Sequence, residues 1–459
     1  MTLTSLSMLE HGAFVFAGLL IYVVTTRTGA QRRHPSAAMA WVVAIAAFPY
    51  LATPLFLVFG RRKFVRPAHA AVTAPTVHST RAPQWATSLL AGLGLPGPVG
   101  NLSVQFHPGG VESLEALIEL IQSAQRTLEI GTFLLGADEV GASVSTALVL
   151  AAGRGVRTRL LIDSVGSLKA PGALLQRLRE GGVEVRRFMP LLHNPMRGRT
   201  NLRNHRKLAV ADGSRLWSGG SNLAVEYFLA RPAHPAWIDL CFVAAGPVAA
   251  QALAQFENDW GSASGRVEPS PPPAVAGPWT GQVLAQWIPS GPDRAEDTIH
   301  ALLMAGAYHA RVRILAVTPY FVPDDALLDA WCMACRRGVQ VSLVLPRRSN
   351  HVLADWARER ALRRLAECGA QVWLAPGMVH AKSVVIDGDL GLCGSVNLDG
   401  RSLFLNYEAM TAFYGAAEVA WLAQWHAGQA ALALPYCAQR PAWWRDLLEG
   451  VVRSVGFQL

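Results

Sequence analysis

The first part of the chain is far more apolar than the rest. Two stretches stand out: residues 13–24, which are apolar without a break, and residues 37–59, which are interrupted only by Pro49, Thr53 and Pro54. Stretches of this length, with their flanks, suit helices that span a bilayer. We therefore predict helices at about 12–26 and 37–59, forming a transmembrane hairpin over residues 1–66. A cleaved signal peptide is the alternative for the first stretch, but residues 1–12 lack the Lys or Arg of a basic start.

Beyond residue 105 the pattern alternates between helical and strand periodicity, and it does so twice. In the first half we predict a helix at 111–125, a strand at 127–134, a helix at 141–153 and a strand at 156–163. In the second half the same order gives a helix at 296–306, a strand at 311–318, a helix at 325–337 and a strand at 339–345. A glycine, Gly155 or Gly338, stands where each second helix meets its strand, as a C-terminal cap requires. The repeat predicts an α/β fold of two similar halves, with mostly parallel sheets covered by helices on both faces.

Two stretches rich in small residues and proline divide the chain. Residues 67–105 are predicted to link the hairpin to the first half, and residues 261–280 to link the two halves. The predicted domains are therefore 106–260 and 281–459, the latter ending in an amphipathic C-terminal tail.

The basic residues suggest an anionic partner and single out the lysines. The chain carries 41 Lys+Arg against 32 Asp+Glu, a formal net charge of +9. Such a charge suits a membrane surface, an anionic lipid or a nucleic acid. Only four residues are lysine, and two of these, Lys207 and Lys382, fall within one repeated motif. A lysine provides a compact point charge in place of the planar fork of arginine.

That motif has the form H-x-K-x(4)-D and is followed by a glycine-containing turn that ends in asparagine. Its residues are His205, Lys207, Asp212 and Asn222 in the first copy, and His380, Lys382, Asp387 and Asn397 in the second. A histidine can attack phosphorus to form a covalent intermediate, while a second histidine transfers protons to and from the oxygens. Two lysines and two asparagines can hold the non-bridging oxygens without a metal ion or another cofactor. Both motifs should therefore meet at one phosphate. The residues alone leave open which histidine is the nucleophile.

These motifs resemble those of the phospholipase D superfamily, and most closely those of bacterial cardiolipin synthases. The resemblance extends through 204–228, 318–325, 379–402 and 406–408, and includes the N-terminal apolar pair. It implies that His205 is the nucleophile and His380 the general acid and base. It also implies that a carboxylate downstream of each asparagine orients a histidine, and Asp239 and Glu408 fit that place. Both lie in apolar, strand-like runs, where an unpaired carboxylate would be costly.

The aspartates of the motifs belong to the catalytic set by resemblance, yet strand geometry argues for a structural role. On a strand, His and Lys share one face, whereas Asp, seven positions after His, points to the other. Asp212 and Asp387 are therefore expected to anchor the turn that follows.

The resemblance implies a membrane phosphatidyltransferase that joins two phosphatidylglycerol molecules into cardiolipin and glycerol. Phosphatidylethanolamine is an alternative lipid substrate. A phospholipase D that uses water as acceptor is a second interpretation, and a nuclease is a third, which the membrane hairpin disfavours. We therefore expect phospholipid and membrane partners and no nucleic acid; the sequence predicts no particular oligomeric state. The arginines flanking the apolar stretches are nearly balanced, and a cytoplasmic catalytic part at the bacterial inner membrane is weakly favoured.

Overall fold

The computed structural model describes residues 3–28, 35–60, 63, 82–190, 201–232, 234–264, 281–445 and 449–450. The N-terminal helices are α1 (Leu3–Thr28), α2 (Pro35–Ala47) and α3 (Pro49–Phe59). They pack together around Tyr22, Ile45, Ala52 and Phe56.

The second apolar stretch is broken, contrary to the single helix predicted at 37–59. Pro49 begins α3, and the residue before it, Phe48, leaves the helical conformation with φ −136°. A proline lacks the amide hydrogen and disfavours helical geometry at the preceding residue, which explains the break. Within the described residues, only Ser7–Thr26 of α1 is long and apolar enough to cross a membrane. The structure therefore does not support the multi-pass hairpin.

The chain then continues into ordered elements where a linker was predicted. These are α4 (Gln84–Gly92), β1 (Val99–Asn101) and β2 (Ser103–His107). The described part of the segment predicted as a linker, residues 67–105, therefore contains short elements separated by its prolines and glycines. The second predicted linker lies largely outside the described residues, which resume at 281.

The first half forms a seven-stranded sheet. Its further elements are α5 (Gly110–Ser123), β3 (Thr127–Thr132), α6 (Glu139–Gly153), β4 (Arg157–Asp163), α7 (Gly172–Glu180), β5 (Glu184–Phe188), β6 (Leu208–Ala211), β7 (Arg215–Gly219), β8 (Cys241–Ala245) and α8 (Val248–Ser264). The strand order is β2-β8-β7-β6-β3-β4-β5. Successive residues of β6 point to opposite faces: Leu208 and Val210 pack with α8, whereas Ala209 and Ala211 pack with α5 and α6.

The second half repeats this plan in a nine-stranded sheet. Its elements are β9 (Val283–Ser290), α9 (Thr298–His309), β10 (Arg313–Val317), β11 (Phe321–Val322), α10 (Asp325–Arg336), β12 (Gln340–Pro346), α11 (Val352–Glu367), β13 (Gln371–Ala375), β14 (Ser383–Ile386), β15 (Leu390–Gly394), β16 (Leu398–Asp399), α12 (Gly400–Phe404), β17 (Glu408–Phe413), α13 (Ala416–Ala431) and β18 (Leu434–Pro435). The strand order is β1-β9-β17-β15-β14-β10-β12-β13-β18. One core contains residues of both halves, among them Phe242, Trp287 and Phe413.

The prediction of mostly parallel sheets is wrong. In the two large sheets only β3–β4, β4–β5, β10–β12 and β12–β13 run parallel, and every other described pair is antiparallel. The βαβ repeat was recognised, but each half then continues through a tight hairpin, and such a short turn joins only antiparallel neighbours. The signal was an Asp-Gly pair: Asp212 and Gly213 have φ 53° and 66°, the positive values that a tight turn needs, and residues 212–214 connect Ala211 to its partner Arg215.

Candidate active site

Both motifs lie at the carboxyl ends of the parallel strands. The strands that follow the histidines, β6 and β14, are antiparallel to β3 and β10, with Gly131 opposite Leu208 and Val317 opposite Ser383. Each motif lysine precedes the first residue of its strand and therefore lies at the carboxyl end of β3 or just beyond that of β10. In α/β folds this edge is where ligands bind.

The main chain connects each motif to the opposite half of the molecule. The amide of His205 donates to the carbonyl of Tyr407 at 2.8 Å, and the amide of Tyr407 donates to Arg203 at 2.9 Å. The amide of His380 likewise donates to the carbonyl of Ile238 at 2.7 Å. The two connections are related by a pseudo-twofold axis, so motifs 175 positions apart form one site.

The carboxylates expected to orient the histidines do so across that axis. Nδ1 of His380, in the second half, lies 2.8 Å from Oδ2 of Asp239, in the first half. Nδ1 of His205 lies 3.4 Å from Oε1 of Glu408, in the second half. Because Nδ1 faces a carboxylate in both cases, Nε2 is the nitrogen left for substrate.

Burial and neighbouring cations keep both histidines neutral. The pKa of His380 falls to about 4, first because it is buried and then because Lys382 is close. The pKa of His205 falls well below its ordinary value through burial, Lys207 and Arg401. A neutral imidazole has the free lone pair that attack on phosphorus requires.

The lysines share this environment. Nζ of Lys382 lies 2.7 Å from Nδ1 and 3.0 Å from Nε2 of His380, and Nζ of Lys207 donates to the carbonyl of His205 at 2.6 Å. Burial lowers the pKa of Lys382 to about 7 and also lowers that of Lys207. An anion between these groups would restore their charged forms, since an opposite charge nearby favours ionisation. The site is therefore suited to a phosphate group.

The asparagines of the turns are buried near the histidines. Asn222 donates from Nδ2 to the hydroxyl of Tyr227 at 2.7 Å. The glycines of the turn permit close approach, because a Cβ at Gly220 would lie 2.1 Å from Oδ1 of Asp239. Asn397 occupies the corresponding place in the second half and is also buried. Both asparagines remain predicted phosphate ligands.

The structure does not bring the motif aspartates into the site. The carboxylate of Asp212 accepts from the amides of Gln125, Arg126 and Thr127 at 2.7–3.0 Å. That of Asp387 accepts from the corresponding amides of residues 311–313. Each thus fixes the beginning of β3 or β10, at the opposite end of the strand from the histidines. The prediction that Asp212 and Asp387 belong to the catalytic residues is therefore corrected. Both aspartates anchor the neighbouring strand as well as their own turn.

Sequence reasoning missed Arg206, which is almost fully buried between the halves. Its Nε donates to the carbonyl of Glu408 at 3.0 Å, and its other nitrogens pair with Asp259 at 2.5 Å and Asp293 at 3.0 Å. It thereby holds the backbone of the residue that faces His205. The one available signal was the variable position of the motif, which is arginine in the first copy and alanine, Ala381, in the second.

Aromatic rings line the two histidines differently. The ring of Phe133 lies 4.0 Å from that of His205. Tyr227 and Trp237 lie 5.0 and 5.4 Å from His380.

Among the described residues, no group of three or more His, Cys, Asp or Glu is placed to hold a metal ion.

Comparison with known proteins shows the family of the chain. The family model described as "Cardiolipin synthase, PLD-like domain" matches residues 117–260 and 304–428, more than half of the chain. The chain belongs to this family. Cardiolipin synthase A of Klebsiella pneumoniae subsp. pneumoniae is 35% identical over 421 residues, covering 85% of each chain. Cardiolipin synthase A of Escherichia coli O1:K1 is 34% identical over the same shares.

A solved structure supports the fold of this family member. Phosphatidylserine synthase of Haemophilus influenzae Rd KW20 superposes with a TM-score of 0.62, covering 82% of this chain and 100% of that one at 15% identity. At that identity the likeness concerns the fold alone. The two-half architecture is therefore shared with a known enzyme of phospholipid chemistry.

Proposed function

We propose that this protein is a phosphatidyltransferase that makes cardiolipin and glycerol from two molecules of phosphatidylglycerol. The observation that carries the proposal is the composite site, in which each motif histidine is paired with a carboxylate of the opposite half. The membership of the chain in the cardiolipin synthase family supports this substrate class.

In the first step, Nε2 of His205 attacks the phosphorus of one phosphatidylglycerol. A nitrogen–phosphorus bond forms, the bond to the glycerol oxygen breaks, and the protonated Nε2 of His380 gives its proton to that oxygen. The bound phosphodiester supplies a negative charge that raises the pKa of His380. Lys207, Lys382, Asn222 and Asn397 hold the non-bridging oxygens.

In the second step, His380 takes the proton of a hydroxyl on the headgroup of a second phosphatidylglycerol. That oxygen attacks phosphorus, the bond to His205 breaks, and cardiolipin forms. The same histidine serves as acid and then as base, so proton balance is restored after each turnover.

The proposal also places the protein at the inner membrane, with the site facing the cytoplasm. Side chains such as Phe16 and Leu20 of α1 project outward, as in a helix surrounded by lipid. Lys63, beyond α3, forms an ion pair with Asp297 at 2.7 Å and holds the catalytic halves near this anchor. Accessibility of the exposed Cys437 to an impermeant thiol reagent in sealed spheroplasts tests the orientation: labelling from outside would contradict it.

Product analysis tests the activity. The purified full-length protein would be incubated in liposomes of phosphatidylglycerol, with and without phosphatidylethanolamine, and the lipids examined by mass spectrometry. Cardiolipin and glycerol from phosphatidylglycerol alone are expected. Phosphatidic acid as the main product would identify water as the acceptor. Cardiolipin formed only with phosphatidylethanolamine present would identify that lipid as the second substrate.

A further inference from the structure

Two loops stand beside the site at the carboxyl ends of the second parallel strands. The first rim loop, residues 164–171, follows β4, and the second rim loop, residues 347–353, follows β12 and enters α11. Because β4 is parallel to β3 and β12 is parallel to β10, both loops lie at the end of the sheets that holds the histidines. They occupy equivalent positions in the two halves.

Each rim loop is bonded to a residue that follows β3 or β10 at the end that holds the motifs. In the first half, the hydroxyl of Ser167 donates to the carbonyl of Phe133 at 3.0 Å, and the ring of Phe133 contacts His205. In the second half, the hydroxyl of Tyr320 donates to Asn350 at 2.5 Å. Tyr320 follows Val317, the last residue of β10, by three residues and so lies at the carboxyl end of β10, the end that holds the second motif. The rim loops are thus continuous with the two sides of the site.

The second rim loop is held firmly, so the direction of its side chains is set by the fold. The guanidinium of Arg358 is buried and donates to the carbonyls of Pro346 and Arg347 at 2.9 and 2.8 Å. The carboxylate of Asp355 accepts from the amide of Ser349 at 2.9 Å. A well-anchored loop that keeps apolar side chains in solvent calls for a partner.

Both rim loops combine exposed apolar side chains with exposed cations. Leu168 is 58% exposed beside the exposed Lys169. Val352 and Leu353 are 68% and 56% exposed, with Trp356 also exposed one turn later. Arg347 and Arg348 precede them and are exposed. Neither loop contains an acidic residue.

We propose that the two rim loops dock on the surface of a lipid bilayer with anionic headgroups. Leu168, Val352, Leu353 and Trp356 enter the boundary between headgroups and acyl chains, while Lys169, Arg347 and Arg348 meet lipid phosphates. The proposal rests on the proposed function, because a two-chain lipid must rise from the bilayer to present its phosphate to His205. Apolar side chains and tryptophan flanked by cations, without acidic residues, match an interface of this kind.

The activity test compares two substrates in the full-length protein. The double variant Val352→Glu/Leu353→Glu should lose about tenfold or more of its rate on phosphatidylglycerol in vesicles, because two apolar anchors are replaced by charges that anionic lipid repels. Its rate on monomeric dihexanoyl phosphatidylglycerol should stay unchanged. The matched control is Leu150→Glu, since Leu150 is 62% exposed near the end of α6, at the opposite end of the strands. Equal losses on both substrates, or no loss on vesicles, would overturn the docking.

A second measurement is independent of activity. Val352→Cys and Val312→Cys would each be labelled with a fluorophore in a Cys437→Ser background and reconstituted as full chains into vesicles. Val312 is 64% exposed and precedes β10 at its amino end, so it serves as the matched position. In vesicles that contain anionic lipid, spin-labelled lipids should quench the fluorophore at position 352 strongly and the one at position 312 weakly. In purely zwitterionic vesicles the quenching at position 352 should be smaller. Equal quenching at both positions would contradict the proposal even if the wild-type protein transferred no phosphatidyl group.

Discussion

The two histidine centres are built on one plan but differ in their carboxylate partners. His380 and Asp239 are 2.8 Å apart, and the side chains are 9% and 3% exposed. His205 and Glu408 are 3.4 Å apart, and the His205 side chain is 22% exposed. Burial raises the pKa of Glu408 to about 7, whereas His380 and Lys382 outweigh burial and lower the pKa of Asp239. An ionised carboxylate stabilises a protonated imidazole, as a general acid requires. A more exposed imidazole whose carboxylate partner is partly neutral suits attack on phosphorus.

We propose that this difference gives the two copies of the motif separate roles. It supports His205 as nucleophile and His380 as acid and base, the assignment that the family resemblance implied and the residues alone left open. Identical motif residues therefore have different carboxylate partners, which lie far away in the chain.

The largest expected effect is the loss of either histidine. His205→Ala should lower turnover by about 10⁴-fold or more, because no covalent intermediate can form. His380→Ala should cost about 10³- to 10⁴-fold through loss of proton transfer. Initial rates of cardiolipin formation measure both, with the exposed His309→Ala as the matched control. Near-normal turnover in either variant would contradict a single shared site.

Replacing the carboxylates that face the two histidines should lower the rate by different amounts. Asp239→Asn should lower kcat about 10³-fold, because an amide cannot stabilise the imidazolium of His380. Glu408→Gln should cost only about tenfold, because a carboxyl whose pKa is about 7 is already partly neutral at physiological pH. Both variants would be assayed side by side at saturating phosphatidylglycerol. Equal losses, or a greater loss at Glu408, would reverse the roles of the two centres.

The pH dependence of anion binding tests the lysine of the second motif. Lys382 has a pKa of about 7, so it is charged below that pH and loses its proton as the pH rises. The inhibition constant of tungstate should therefore increase by up to about tenfold per pH unit above 7. Lys382→Arg keeps its charge and should remove this dependence. A wild-type constant that stays flat between pH 7 and 9 would refute the lowered pKa.

The smallest effects on rate are expected at the motif aspartates. Asp212→Asn and Asp387→Asn each weaken three amide contacts at the start of β3 or β10, which should cost about 1–3 kcal/mol of stability. Turnover per folded molecule should remain near that of the wild type. Thermal unfolding in detergent and rates normalised to folded protein separate the two effects. A severe loss of rate with an unchanged unfolding midpoint would return these residues to the catalytic set.

Local signals in the sequence predicted the repeated order of helices and strands. The strands now seen as β3, β4, β10 and β12 were predicted from apolar runs, and Gly155 and Gly338 adopt φ +87° and +86° as their cap positions require. Asp239 and Glu408 were identified through the family resemblance, and their apolar, strand-like surroundings supported the choice, because an unpaired carboxylate there would be costly.

What the sequence did not reveal depends on contacts between distant segments. The exchange of carboxylates between halves follows from pairing of 204 with 407 and of 238 with 379, which no local pattern encodes. The role of Arg206 depends on Asp259 and Asp293, which approach it only in the folded chain. The antiparallel continuation of each sheet follows from the Asp-Gly turn, a signal present in the sequence but not applied.

The most direct test of two unequal histidine centres is to locate the covalent intermediate. Wild-type enzyme turning over phosphatidylglycerol would be quenched at alkaline pH, where a bond between histidine and phosphorus survives, and its peptides mapped by mass spectrometry. A phosphatidyl group on His205, with none on His380, is the predicted result. A phosphatidyl group on His380, or on both histidines, would contradict the assignment of distinct roles.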